Sequence, residues 1–201
     1  MTQIVSAHMS LSLDGFGTGV NQTREKPFGD DMEGEPLHRW MFEAAQENRA
    51  EVDGILGHGA YIMGRNMFGP VRGVWDEPWH GWWGPEPPYR APTFVLTHYA
   101  HVPIEMNGGT TFFFVTGGVE AALSRARDAA GDASIAIAGG ASTVDQFLAA
   151  GLIDEVRLHI APVVLGAGER LFARSGSVAL TPVASRATSL ATHVTYRVGT
   201  A

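Results

Sequence analysis

Three short stretches of this 201-residue sequence carry residues suited to gripping an anion. The first is Gly139-Gly140-Ala141-Ser142-Thr143, set between the apolar run IAIA and a helical pattern. Paired glycines after a strand let the backbone approach a bulky group closely, and a helix start offers unpaired N–H groups and the positive end of a dipole. Ser142 and Thr143 add hydroxyl donors. Two readings fit: a phosphate cradle, or a tight turn in which Ser142 caps the helix with Asp145 three residues on. The second stretch, Gly64-Arg65-Asn66, also follows an apolar run. Its Arg65 is either a forked cation for phosphate oxygens or a surface residue at a helix start. The third is Thr97-His98, at the end of another apolar run. In open α/β sheets ligands collect beyond the carboxyl ends of strands, so three such ends together carry more weight than any one.

Groups able to handle a proton are fewer. Asp14, in the Asp14-Gly15 pair, either orients substrate and relays a proton or simply forms a turn. His38 is a proton donor near neutral pH, given an ordinary pKa of about 6.5, or an idle residue at a helix start. His8, in mid-strand among small polar residues, reads as a buried, hydrogen-bonded histidine. The eight histidines form no metal pattern, and His98 and His101 share a loop with no acidic cluster, so no metal is expected. The absence of cysteine excludes disulfides, thiolate zinc sites and cysteine nucleophiles. Trp75, Trp79, Trp82 and Trp83 have three open roles: walling an aromatic pocket, anchoring a long loop, or burying a dimer contact.

Positioning these residues requires a regular frame, and the apolar periodicity supplies one. Residues 5–13 alternate with period two and close on Asp14-Gly15, which predicts a strand. A glycine-rich loop from Gly15 to Glu35 follows, of the length that usually serves function. Leu37, Trp40, Met41 and Ala44 then recur at helical spacing behind Pro36. Short apolar strands are predicted at 60–63, 93–96, 112–115 and 134–138, with a helix from Val119 to Ala130 ended by Gly131. A helix from Ser142 to Gly151, an alternating strand at 153–160, and two closing strands near 178–185 and 190–198 complete the chain. Alternating strands and helices imply a largely parallel sheet, and two strands in succession imply an antiparallel C-terminal edge. No repeat or linker interrupts the pattern, so residues 1–201 are expected to form one domain.

Composition limits the partners. A hydrophobic content of 45% with 17% charged residues is that of an ordinary globular protein. The formal charge of −7 argues against a large nucleic-acid surface. No apolar stretch approaches the roughly 20 residues that span a bilayer, and the opening MTQIVSAHMSLSLDG does not read as a signal peptide. The expectation is a cytoplasmic protein that binds a small molecule, not nucleic acid or membrane.

The segments MSLSLDGF, IMGRNMFGP, FVLTH and AGGASTVDQFLAAGLIDEVRLHIAPVVLGAGERLF occur in an order that resembles the dihydrofolate-reductase-like superfamily. The likeness is closest to the RibD C-terminal branch, the reductase domain of riboflavin biosynthesis. It implies a three-layer α/β fold whose central mixed sheet of about eight strands, mostly parallel, is flanked by helices. It also implies NADPH across the strand ends. By that resemblance Gly64, Arg65 and Asn66 lie near the pyrophosphate, and Thr97 and His98 near the adenosine ribose or its 2′-phosphate. Gly139, Gly140, Ala141, Ser142 and Thr143 cradle the pyrophosphate, with a cis peptide often found between the glycines. The segment from Ser10 to Phe16 borders nicotinamide and substrate, and a homodimer is common in the family. The chain departs from the pattern where the riboflavin reductases place a glutamate, since Ala138 stands there, and where dihydrofolate reductases place an acid, in the stretch GEPLHRWMFE. The expected activity is hydride transfer from NADPH to a small heterocyclic or carbonyl-type substrate. The nearest labelled reaction is that of a 5-amino-6-(5-phosphoribosylamino)uracil reductase. Dihydrofolate reduction, a non-catalytic NADP(H)-binding protein and a structural dimerisation domain are the alternatives.

Overall fold

The computed structural model describes residues 3–30, 36–70, 73–75 and 78–199. Six short strands run parallel through its centre: β1 (Val5–Leu11), β3 (Ala60–Gly64), β4 (Pro92–Leu96), β6 (Thr111–Val115), β7 (Ile135–Gly139) and β8 (Glu155–Ile160). With β5 (Ile104–Glu105), β10 (Leu180–Ala187) and β11 (Thr192–Val198) they form one nine-stranded sheet in the order β10-β11-β8-β1-β7-β3-β4-β6-β5. The predicted antiparallel C-terminal edge is present, because β11 runs against both β8 and β10. The opposite edge is also antiparallel through β5, a two-residue strand that leaves no periodic signal in sequence. A separate pair, β2 (Phe16–Thr18) with β9 (Glu169–Arg170), ties the first long loop to the segment after β8.

Apolar alternation sets which face each helix covers. Val5, Ala7, Met9 and Leu11 of β1 join Ile135, Ile137, Val156 and Leu158 in the main core. Helices α4 (Gly118–Ala130) and α5 (Ala141–Ala149) pack there through Ala122, Leu123, Ala126, Val144, Phe147 and Leu148. The opposite face is polar along β1, with Ser6, His8 and Ser10 all buried. On that side lie α1 (Arg39–Phe42), through the fully buried Trp40, and α2 (Arg49–Ile55). A second cluster built on Tyr61, Met63, Phe68, Tyr89, Phe112 and Phe114 covers β3, β4 and β6.

Two helices differ from the sequence expectation. The helical spacing from Leu37 to Ala44 yields only the single turn of α1. Asn48 is the reason: its side-chain amide donates to the carbonyls of Trp40 and Ala44 and draws the chain into a turn. The next helix, α2, was not predicted, because none of its seven residues is buried and so no apolar stripe marks it. A one-turn helix, α3 (Arg65–Phe68), follows β3 directly. Among the described residues no helix is long and apolar enough to cross a membrane.

Candidate functional site: three neighbouring strand ends

The sheet order makes β7, β3 and β4 adjacent, so the three sequence-distant stretches meet at one edge. Met63 pairs with Gly139 across β3 and β7, and Gly64 pairs with Leu96 across β3 and β4. Helix α5 starts against this edge. A Cβ built on Gly64 collides with Thr143 Oγ1, so glycine is required for the helix start to press onto the strand end. Gly139 has φ +124, a backbone region that glycine alone adopts readily, and a Cβ built on it would press on the sulfurs of Met67 and Met9. The peptide joining Gly139 to Gly140 is cis.

The cap of α5 differs from the one predicted. Gly140 is the N-cap, and its carbonyl accepts the amides of Thr143 and Val144. No capping box forms from Ser142 and Asp145. Asp145 is buried and turns instead to the amides of Arg174 and Ser175, at 2.7 and 3.0 Å. That leaves Ala141 and Ser142, whose amides precede the first intrahelical hydrogen bond, at the strand edge. A Cβ on Gly140 meets nothing within 4 Å, so the space against this backbone is open. Close glycine packing on one side, open space on the other and a helix start between them suit a phosphate group.

The other candidates take distinct positions. Arg65 opens α3, and its guanidinium lies 2.9 Å from the centre of the Trp75 ring. Asn66 follows it and is half-buried. Thr97 is buried, its hydroxyl accepting the Tyr99 amide at 3.1 Å, while His98 is exposed. The tryptophans anchor their loop to the body: Trp75 Nε1 donates to the Tyr99 carbonyl and Trp79 Nε1 to the Phe68 carbonyl. Trp83 stacks on Phe112, and Trp82 meets Trp79 edge-on. Among the described residues no three histidine, aspartate or glutamate side chains are grouped to hold a metal ion.

Asp14 lies against the segment that follows β8, and His38 lies beside Phe28. Asp14 accepts the amides of Leu165 and Gly166 at 3.1 and 2.8 Å. The Ser12 hydroxyl, followed by these amides, holds its carboxyl down to about 2, so it is an anion that fixes the loop. His38 packs its ring on Phe28, with centroids 4.7 Å apart. Burial lowers its pKa to about 4, so the ring is uncharged near neutral pH. Glu35 lies outside the described residues.

Sequence reasoning did not single out the polar network on the α1–α2 face. His159 Nδ1 and His193 Nδ1 lie 2.8 Å apart, and His193 Nε2 lies 2.8 Å from Asn48 Oδ1. Burial lowers the pKa of His159 to about 3 and also lowers those of His8 and His193. These shifts set a pH dependence with a definite sign. Unfolded imidazoles take up protons below their ordinary pKa of 6.5, whereas the folded ones remain neutral down to lower pH. Their contribution to stability is therefore complete above pH 6.5 and is lost as pH falls toward the folded values. Urea unfolding should show stability declining from about pH 7 to pH 5, by up to about 1.4 kcal/mol per pH unit for each proton taken up. A flat profile across that range is the result that contradicts buried neutral histidines.

The mostly parallel sheet, its antiparallel edge and the flanking helices define a dihydrofolate-reductase-like fold. Dihydrofolate reductase from Enterococcus faecalis, complexed with NADP(H) and RAB-propyl, matches 98% of this chain and 97% of its own, with a TM-score of 0.56 and 16% identity. The family model for the RibD C-terminal domain matches residues 3–194, and the chain belongs to that family. A protein described as a riboflavin biosynthesis protein from Shewanella sp. PV-4 is similar over 98% of this chain and 100% of its own, with a TM-score of 0.63 and 23% identity. The diaminohydroxyphosphoribosylaminopyrimidine deaminase/5-amino-6-(5-phosphoribosylamino)uracil reductase of Thermotoga maritima matches 98% of the chain, with a TM-score of 0.56 and 15% identity. The chain spans 57% of that longer protein. No curated protein shows significant sequence similarity to it.

Proposed function

We propose that the protein is an NADPH-dependent reductase that passes a hydride to a small heterocyclic or carbonyl-type substrate in the cytoplasm. One observation carries this reading: Gly64, Thr143 and the Gly139–Gly140 pair meet at adjacent strand ends with open space beside Gly140. NADPH, when bound, supplies the reactive C–H bond. The chain's own residues bind, orient and exclude water. The start of α5 and Thr143 would hold the pyrophosphate, and Arg65 would pair with a phosphate oxygen. Met9 and Met67, whose sulfurs lie beside Gly139, would keep water from the reacting face. The reaction named for the Thermotoga maritima relative, reduction of a ribosylamino-pyrimidine, is the nearest candidate. With Ala138 where the riboflavin reductases carry a glutamate, the substrate contacts must come from other residues.

Replacing Arg65 by alanine should raise the Kd for NADPH about tenfold or more, the loss of one charge-assisted contact. Calorimetric titration measures this directly, and unchanged affinity would put the phosphate site elsewhere. NADPH oxidation followed with the ribosylamino-pyrimidine, dihydrofolate, aldehydes and quinones then reports the substrate. A second reading, an NADP(H)-binding protein without chemistry, has one observation in its favour. Neither Asp14, an anion, nor His38, a neutral ring, carries a proton suited to donation at neutral pH. Saturable NADPH binding with no turnover of any of these substrates is the outcome that favours it.

A further inference from the structure

Helix α3 is a single turn, and a helix of that length has no stability of its own in water. The direction in which Arg65 leaves its start is therefore set by what packs on it. Two tryptophans from the loop between α3 and β4 do so. At the far end, Trp79 Nε1 donates to the Phe68 carbonyl at 2.8 Å, and a Cβ on Gly69 would collide with the same indole. At the near end the Arg65 guanidinium lies over the Trp75 ring, its central carbon 2.9 Å from the ring centre.

Trp75 is itself fixed on three sides. Its Nε1 donates to the Tyr99 carbonyl at 2.9 Å, and the Tyr99 amide is held by the Thr97 hydroxyl at 3.1 Å. Phe114 of β6 meets the ring edge-on at 4.8 Å, and His101 lies against it at 4.7 Å. Gly64 pairs with Leu96, so Arg65 and Thr97 leave neighbouring strands side by side. The indole therefore bridges two of the three strand ends. Its face carries the residue that follows β3, and its N–H is tied to the segment that follows β4.

Stacking engages the face of a guanidinium and leaves its N–H donors directed along its own plane, where a phosphate is met. A freely rotating arginine loses rotamer freedom when it grips an anion, whereas one already stacked loses less.

We propose that Trp75 is a positioning residue for Arg65, holding the guanidinium in place for a phosphate of the cofactor before the cofactor arrives. The proposal rests on the reading of the strand ends as an NADPH site and adds to it a residue from outside the three strand-end stretches. Trp75 acts through Arg65, so its effect on affinity exists only while Arg65 is present. Helix α3 stays held by Trp79 when Trp75 is replaced.

The test uses the full chain and calorimetric titration with NADPH. Trp75→Leu should raise the Kd about fivefold or more. In an Arg65→Ala background the same replacement should leave the Kd within about twofold. Trp75→Phe keeps a ring beneath the guanidinium and loses only the bond to Tyr99, so it should stay within about twofold of the parent. The parent chain gives a readout that does not depend on a variant remaining folded. Its Arg65 Nε–H resonance, assigned by its absence from Arg65→Ala, should be displaced by the Trp75 ring current both before and after saturation with NADPH. Loss of that displacement on saturation, an unchanged Kd in Trp75→Leu, or equal fold losses with and without Arg65 would each overturn the proposal. A parent chain that binds no NADPH is a separate outcome, which removes the cofactor reading and this proposal together.

Discussion

Gly64→Ala should both destabilise the protein and impair the cradle, because the added methyl group takes the space of Thr143 Oγ1. Gly64 has an ordinary extended backbone, with φ −80 and ψ 158, so backbone strain makes no contribution. The cost is steric. Overpacking a close contact of this kind costs about 1–3 kcal/mol, and the strand end and helix start must separate to relieve it. That separation displaces the donors proposed for the pyrophosphate, so the Kd for NADPH should rise about tenfold or more. A double-mutant cycle isolates the cause. Thr143→Ala removes the colliding hydroxyl, so the double variant should recover most of the stability lost by Gly64→Ala alone. Cofactor affinity should not recover with it, since Thr143 is itself among the groups proposed to hold the pyrophosphate. If Gly64→Ala unfolds at the same urea concentration as the parent, the close packing of β3 on α5 is refuted.

Trp40→Ala should have the largest effect on folding, with a loss of about 3–5 kcal/mol. Trp40 is fully buried, donates Nε1–H to Ser10 Oγ at 3.0 Å, and lies against His159 and His193 at 4.3 and 5.0 Å. It belongs to a helix of one turn, which has no stability of its own in water. Burial of this indole therefore holds α1 on the sheet, and removing it opens a cavity over the histidines. Trp40→Phe keeps most of the apolar contact and loses only the bond to Ser10, so it should cost about 1 kcal/mol. Urea midpoints at unchanged m-value measure both. Equal losses in the two variants would show that the hydrogen bond, and not the packing of the ring, holds the helix.

Both predictions depend on contacts between residues far apart in sequence, and the same division runs through the whole molecule. Central strands and the two longer helices were legible because each has an uninterrupted apolar pattern. Val5 to Leu11 alternates, and Ala122, Leu123 and Ala126 mark one helical face. The one-turn α1 and the exposed α2 were not, since the Asn48 side chain, bonding back to Trp40 and Ala44, ended the first and no buried stripe marked the second. Two of the four tryptophans donate hydrogen bonds that hold their loop to the body, a role composition did not separate from its two rivals.

What the sequence determined by itself was the set of strand-end motifs and the order of the elements carrying them. Glycine after a strand, a forked cation and a hydroxyl-rich helix start are local features, set by each residue's own conformational freedom and chemistry. Only the tertiary structure decided that β7, β3 and β4 are neighbours, which brings Gly139, Gly64 and Leu96 side by side. It also decided the cap of α5, where Asp145 bonds to amides 29 and 30 residues away and leaves the helix start to Gly140. The pairing of His159 with His193 follows from the register of β8 and β11. Burial beneath Trp40 and α2 then removes the charge these rings would carry in weakly acidic water. Register and burial are properties of the assembled sheet, and no stretch of chain contains them alone.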